Sequence, residues 1–419
     1  MSWKKSTFIV ALSFVLVLGL TVSAAADVLT VGAVGPYTGP AARTGQEFQG
    51  AVEMAFEEID FQIGDYEIEL VWVDSESDPE TAVRAYEDAV MRDGMDVGIL
   101  NWHSSVAVAL MDAAARNQIP HFFGFGATEV VIETFEEDPE YYSYWMGKTW
   151  PIPEKLSGAY VEAIQGAIEE GLWEPRNKRV GIYGEDTDWG RSFGAGIAGD
   201  FEEAGWEVVT HEYYEMGETD LYPLLASLRD ADVSVVAGTD TSPPSFSAFV
   251  TQAREVGLES LIIADGLGWV GEWYEMTGEA SNYVLDQIPE WPSEEAREWA
   301  ADFEDKYGIT PSTSAAGQAY DQARFFIHIA ETAYDLHGEL NSEVLHSVGQ
   351  NLLWEGELYF DDGLIHERYM YTPETIPDPV VGEGYFIFPV LQYFDGVGQI
   401  VWPDSMKQAE LEIPDYLQE

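Results

Sequence analysis

The chain has 419 residues, with 76 Asp and Glu against 19 Lys and Arg and a formal net charge of −57. At 46% hydrophobic and 13% aromatic it is too apolar for a disordered acidic tail, which pairs high charge with low hydrophobicity. A field this negative, with no basic run longer than a dipeptide, excludes nucleic acid and anionic membrane surfaces as partners.

The acids are spread along the whole chain, and lysine is confined to Lys4, Lys5, Lys148, Lys155, Lys178, Lys306 and Lys407. Such self-repulsion opposes compaction in dilute buffer, whereas molar salt shortens the screening length to ~3 Å. A halophilic protein that works in brine is the expectation. Cysteine is absent, which excludes disulfides, thiolate metal sites and a lipid anchor at a cleavage-site cysteine. At this length two lobes are expected.

In chain order, the first feature is a secretory signal over residues 1–26. Lys4 and Lys5 form the basic start, Phe8 to Val22 the apolar stretch, and Ala24-Ala25-Ala26 the cleavage site. The remainder is expected to be released outside the cytoplasmic membrane, most simply into a periplasm.

From Asp27 onward short apolar runs alternate with stretches of helical period, the mark of βαβ units and a parallel sheet. Strands are predicted at Val28–Val34, Ile68–Val73, Val97–Leu100 and Pro120–Phe123. Helices are predicted at Gly45–Ile59, from Pro79 to about Met91, and at Ser105–Arg116. Ala51, Met54, Ala55 and Ile59 share one face of the first of these helices.

A second series follows Trp150-Pro151. Helices are predicted at Lys155–Glu170, Ser192–Ala204, Tyr222–Arg229 and Ser245–Val256. They alternate with strands at Arg179–Tyr183, Trp206–Glu212, Val233–Ala237 and Leu261–Ala264. Two helices come next, Glu294–Tyr307 and Thr313–Leu336. Antiparallel strands are then predicted at Gly356–Phe360, Tyr385–Phe394 and Gly398–Trp402, with turns at Asp361-Asp362-Gly363 and Asp395-Gly396. The fold class is therefore α/β, with two Rossmann-like lobes. Residues 27–150 and 287–350 are assigned to lobe 1, and residues 151–286 and 351–419 to lobe 2.

Open α/β sheets bind ligands at the C-terminal ends of their strands, so the loops there carry the functional information. Ser104-Ser105 open a predicted helix, where free backbone N–H groups, the helix dipole and hydroxyls can hold a carboxylate. Gly126-Ala127-Thr128 is a second small, amide-rich loop, and Asp265 ends an apolar strand before Gly266. Trp102, Trp150, Trp189, Trp269 and Trp273 cluster near the predicted cleft, and indoles there can stack on flat ligands or enclose cations. Enzyme signatures are weak. Gly194 to Gly199 spells G-x-G-x-x-G, but within a predicted helix about ten residues past its strand, where the phosphate turn cannot form. No cofactor or metal site is expected, and no enzyme activity.

Taken in order, several loops resemble one family. These are Gly35-Pro36-Tyr37-Thr38-Gly39, Asp74-Ser75-Glu76-Ser77-Asp78-Pro79, His103-Ser104-Ser105, Gly126-Ala127-Thr128, Tyr183 to Gly190, Ala319-Tyr320-Asp321, and Gln392 through Pro403. The set is similar to the branched-chain amino-acid/amide family of periplasmic solute-binding proteins that serve ABC importers. The resemblance implies a type I periplasmic-binding-protein fold, hinged between its lobes, that captures a small amino acid of branched-chain type or a related ligand. It implies that Ser104, Ser105 and the 126–128 loop hold the ligand carboxylate. The Gly126 carbonyl, the Thr128 hydroxyl and Asp265 would face the ammonium. Thr44 stands where relatives often have tyrosine, and the loop after Val233–Ala237 lacks the usual aromatic. With Trp102 and Trp189 at the cleft, an amide, urea, aromatic acid or quaternary amine is an alternative ligand. The implied partners are the small-molecule ligand and ABC permease subunits, with the protein itself a monomer. A ligand-sensing receptor module is the alternative role.

Overall fold

The computed structural model describes residues 27–288 and 291–418. The expected signal, residues 1–26, lies outside the described residues. Among the described residues there are two sheets. Strands β1 (Asp27–Gly35), β2 (Gln62–Ile63), β3 (Tyr66–Asp74), β4 (Val97–Ile99) and β5 (His121–Phe122) make the first, in the order β2-β3-β1-β4-β5. The second takes β6 (Arg179–Glu185), β7 (Glu207–Tyr214), β8 (Val235–Thr239), β9 (Leu261–Asp265), β10 (Leu285–Gln287), β11 (Val390–Phe394) and β12 (Val397–Trp402). Its order is β12-β11-β10-β9-β8-β6-β7. Pairing is parallel except at the β2–β3, β10–β11 and β11–β12 edges.

The connecting helices are α1 (Ala42–Glu57), α2 (Pro79–Asp88), α3 (Ser104–Asn117), α4 (Glu129–Glu137), α5 (Gly158–Glu169) and α6 (Asp188–Glu203). They continue with α7 (Tyr222–Asp230), α8 (Pro243–Glu255), α9 (Trp273–Thr277), α10 (Glu294–Tyr307), α11 (Gln318–His337) and α12 (Ser342–Val348). β1 is buried on both faces from Leu29 onward, as a central parallel strand must be, which is why its sequence is continuously apolar. Ala51 and Ala55 are fully buried on α1, as their spacing predicts, while Met54 and Ile59 pack at its margin. After β10 the chain returns to the first sheet. There Phe303 of α10 lies against Gly50, and Phe326 of α11 meets Phe56.

Helix boundaries follow local chemistry. The Ser293 hydroxyl accepts from Ala296 N at the start of α10, and Gly308 closes it in the left-handed conformation with φ 71°. The G-x-G-x-x-G run lies inside α6. A Cβ on Gly194 would come within 2.4 Å of the Tyr213 hydroxyl, so this glycine serves helix–sheet packing.

The predicted strand Gly356–Phe360 does not form. Its only pairing is a bridge between Phe360 and Tyr369. Within the segment itself, Glu357 N and Leu358 N both turn back to the Leu352 carbonyl, at 2.9 and 3.0 Å, so these donors are spent on a turn and not on a ladder. Beyond the predicted turn, the carboxylate of Asp321 on α11 accepts from Leu364 N at 2.6 Å, Ile365 N at 2.9 Å and the Tyr369 hydroxyl at 2.7 Å. The predicted strand Tyr385–Phe394 shortens to Val390–Phe394. Five elements had no sequence signal strong enough to read: the short β2 edge, α4, α9, β10 and α12.

Buried acids are not confined to Asp321. Glu47 of α1 is fully buried, accepting from Arg43 at 3.0 Å, from Ser312 N and Oγ at 2.7 Å each, and from Ala316 N at 3.2 Å. Burial pushes its pKa from 4.5 to about 7, against the lowering effect of Arg43 and the Ser312 and Ala316 bonds. The native carboxyl therefore keeps a proton that the unfolded one has lost, so its contribution to stability declines as pH rises from about 4.5 to about 7. At fixed salt, the unfolding temperature of Glu47→Gln should fall less steeply through that window than that of the parent. Parallel curves would remove Glu47 as a source of the dependence.

Candidate functional site

The strand ends of the two sheets face each other across a tight pocket of about 20 Å³. It is lined by Trp102, Ser104, Phe125, Ala127 and Trp150 from the first half of the chain, and by Trp189, Thr241 and Trp269 from the second. Trp269 is the hub. Its ring lies 5.3 Å from Trp102, 5.5 Å from Trp150 and 5.8 Å from Trp189, centroid to centroid. Phe125 fills the gap between Trp102 at 5.0 Å and Trp150 at 5.9 Å. Edge-on geometry at 86° and 80° gives Trp269 favourable contact with the other indoles while leaving ring faces for a guest.

Each wall is held from behind. Trp189 sits in the first turn of α6 and donates its indole N–H to Thr239 Oγ1 at 2.8 Å. That hydroxyl in turn donates to the Asp265 carbonyl at 2.8 Å. Thr241 is fixed by Glu185, whose Oε2 accepts from its N–H at 2.9 Å and its hydroxyl at 2.8 Å. Trp269 follows a loop that Asp286 clamps, accepting from Gly266 N and Gly268 N at 2.7 Å each and from the Tyr393 hydroxyl at 2.7 Å. Gly266 has φ 102°, and a Cβ there would lie 2.7 Å from the Trp269 ring, so only glycine fits.

Ser104 and Ser105 form the first turn of α3, but neither caps it. The N-cap is His103, in extended conformation and making no side-chain cap bond. The His103 ring is buried, and burial lowers its pKa to about 3, so the helix start carries no imidazolium. This leaves an uncapped helix N-terminus, with the Ser104 side chain on the cavity wall, as the polar end of the site. Trp102 and Trp269 also carry buried indole N–H groups without an acceptor among the described residues.

The other expected ligand residues stand around this cavity. Thr44 lines a small adjoining space of about 10 Å³ with Trp269, Trp273 and Thr241. Gly126, with φ 34°, and Thr128 flank Ala127. The Gly126 carbonyl accepts from Thr128 N at 2.9 Å, and Thr128 Oγ1 caps α4 by accepting from Val130 N at 3.3 Å. Asp265 is buried, one oxygen accepting from the Tyr160 hydroxyl at 2.8 Å and the other without a partner among the described residues. Burial drives its pKa well above the ordinary value and nearby Asp286 adds to that, while Tyr160 offsets part of it. Phe125 and Thr241 were not legible as site residues: one reads as core, the other as loop. At the cleft edge Arg43 ties α1 to the segment after Trp269, donating to Glu272 at 2.6 Å and to the Thr310 carbonyl at 2.9 Å. Among the described residues, no group of three His, Asp or Glu side chains is arranged to hold a metal.

Two mostly parallel sheets that enclose an apolar cavity at their strand ends, with a helix N-terminus as its polar end, define a bilobal solute-binding protein. The chain belongs to the periplasmic binding protein family, whose model matches residues 28–356. This is a family of binding proteins, not enzymes. Among curated relatives, Leu/Ile/Val-binding protein homolog 6 of Brucella suis biovar 1 is 24% identical over 253 residues. That match covers 60% of this chain and 61% of the relative, so the chain spans about three fifths of that protein's length. Among solved structures, LivJ from Streptococcus pneumoniae in complex with isoleucine superposes with a TM-score of 0.69 at 18% identity, covering 89% of this chain and 98% of that one. A solute-binding protein from Rhodopseudomonas palustris BisB5 in complex with 3,4-dihydroxybenzoic acid gives a TM-score of 0.71 at 18% identity, covering 89% and 95%. The fold is the type I periplasmic-binding-protein fold.

Proposed function

We propose that this chain is the extracytoplasmic solute-binding component of an ABC importer, exported by its N-terminal signal and built for saline surroundings. It captures a small amino acid of branched-chain type, or a related carboxylate, between two lobes, without chemistry. The carboxylate docks at the start of α3 beside Ser104 and Ser105, and the body of the ligand lies among Trp102, Trp189 and the other rings. Thr44 and the 126–128 loop shape the entrance, and Asp265 stands behind the second wall, bound to Tyr160. Closure about the crossing segments expels water and presents a surface to the permease. The observation that carries this reading is the aromatic pocket with one uncapped helix N-terminus on its wall.

A thermal-shift screen at molar NaCl tests it, using amino acids, short amides, urea, betaines and aromatic acids. A ligand at a hundredfold excess over its Kd stabilises the folded state by about 2.7 kcal/mol, which raises the unfolding temperature measurably. A panel in which no small carboxylate shifts the transition would refute the proposal.

A further inference from the structure

The cavity wall is rich in ring faces and poor in hydrogen-bond acceptors. Among the side chains that line it, Ser104 and Thr241 alone carry acceptor oxygens, two for the three donors of a primary ammonium, and the Thr241 hydroxyl is oriented by donating its proton to Glu185. Asp265 is not part of this wall. It lies behind it, bound to Tyr160. A primary ammonium enclosed here would bring three N–H donors into a space from which water is expelled, and each donor left unpaired costs about 1–3 kcal/mol. A fully alkylated ammonium brings none. It needs only ring faces within about 6 Å of its charge, and indole is the best of these. Trp102 and Trp150 on one side and Trp189 and Trp269 on the other supply four indoles, with the centroids of the first three 5.3–5.8 Å from that of Trp269. Only when the two halves of the chain meet are these rings brought together.

We infer that the ligand class of this site is a quaternary-ammonium carboxylate, an amino-acid betaine. Its carboxylate lies at the start of α3 beside Ser104, and its alkylated cation lies among Trp102, Trp150, Trp189 and Trp269. The inference rests on the reading of this cavity as the solute site. It replaces the expected primary ammonium facing Asp265 with a cation held by π faces.

Calorimetric titration of the whole protein at molar NaCl separates the alternatives. The probes are glycine betaine, its carbon isostere 3,3-dimethylbutanoate, which keeps the carboxylate but lacks the cation, and isoleucine. Betaine is expected to bind about tenfold or more tightly than the isostere, the ratio that cation–π attraction to desolvated indoles provides. It is also expected to bind more tightly than isoleucine. Equal affinity for betaine and the isostere would overturn the inference, because apolar burial alone would then explain capture. Isoleucine binding more tightly than betaine would also overturn it, while leaving the solute-binding proposal intact. Silence from all three, together with a blank thermal-shift panel, would bring down both.

Discussion

Trp269→Ala is expected to weaken ligand capture by at least about 100-fold, or ~2.8 kcal/mol, with the affinity read by calorimetry at constant salt. The reason is geometric. Three indoles, Trp102, Trp150 and Trp189, are placed through their contacts with this one ring, and its loss opens the cavity from both walls. Replacing it with phenylalanine keeps a ring but not the indole's area, so an intermediate loss is expected. Trp206 provides the control. It is buried against Trp173 and Phe201 and does not line the cavity, so Trp206→Ala should lower stability and leave affinity unchanged. Full affinity in Trp269→Ala would show that the cavity described here is not where the solute binds. Gly266→Ala should reproduce part of the defect without touching the ring, because its Cβ would occupy space the indole needs.

The largest effect on stability is expected at Asp378. This carboxylate and Lys148 are both fully buried and lie 2.6 Å apart, and Lys155 donates to the second carboxylate oxygen at 2.7 Å. Burial pulls the Lys148 pKa down while Asp378 holds it up, so the lysine's charge depends on its partner. The cluster also joins distant segments. Lys148 N donates to the Pro377 carbonyl at 2.8 Å, and the Tyr371 hydroxyl donates to the Lys148 carbonyl at 2.7 Å. Asp378→Ala strands a buried cation and should cost ~3–5 kcal/mol in denaturant unfolding at fixed salt. Neutralising both partners in Lys148→Met/Asp378→Asn should recover much of that loss, since the desolvation of two charges is avoided. A loss below about 1 kcal/mol in Asp378→Ala would mean the pair behaves as a surface ion pair.

The alternation of strands and helices was legible because each half of the chain obeys one rule: buried parallel strands read as unbroken apolar runs. Glu294–Tyr307 matches at both ends because Ser293 and Gly308 are strong local signals. Gly356–Phe360 failed for the opposite reason. Its pattern is compatible with a strand, but Glu357 N and Leu358 N turn back to the Leu352 carbonyl, which leaves Phe360–Tyr369 as an isolated bridge. The candidate site was legible in part. Ser104, Trp102 and Trp189 meet on one cavity, as their positions at strand ends suggest. Thr128 turned out to cap α4, and Asp265 to sit behind the wall with Tyr160. Neither displacement has a local signature, because the orientation of a side chain at a strand end depends on what packs behind it.

The class of protein is written in the chain itself, because the ordered loops at the strand ends carry the family likeness. Tertiary structure alone decided which of 76 acids leave the surface and which of 14 tryptophans wall the cavity. Glu47, Asp286, Asp321 and Asp378 are chemically the same as dozens of solvated neighbours. They become structural because donors from distant segments converge on them, and burial then depends on those partners and not on the residue itself. The four indoles follow the same physics. Two come from each half of the chain, and no local pattern records that they meet.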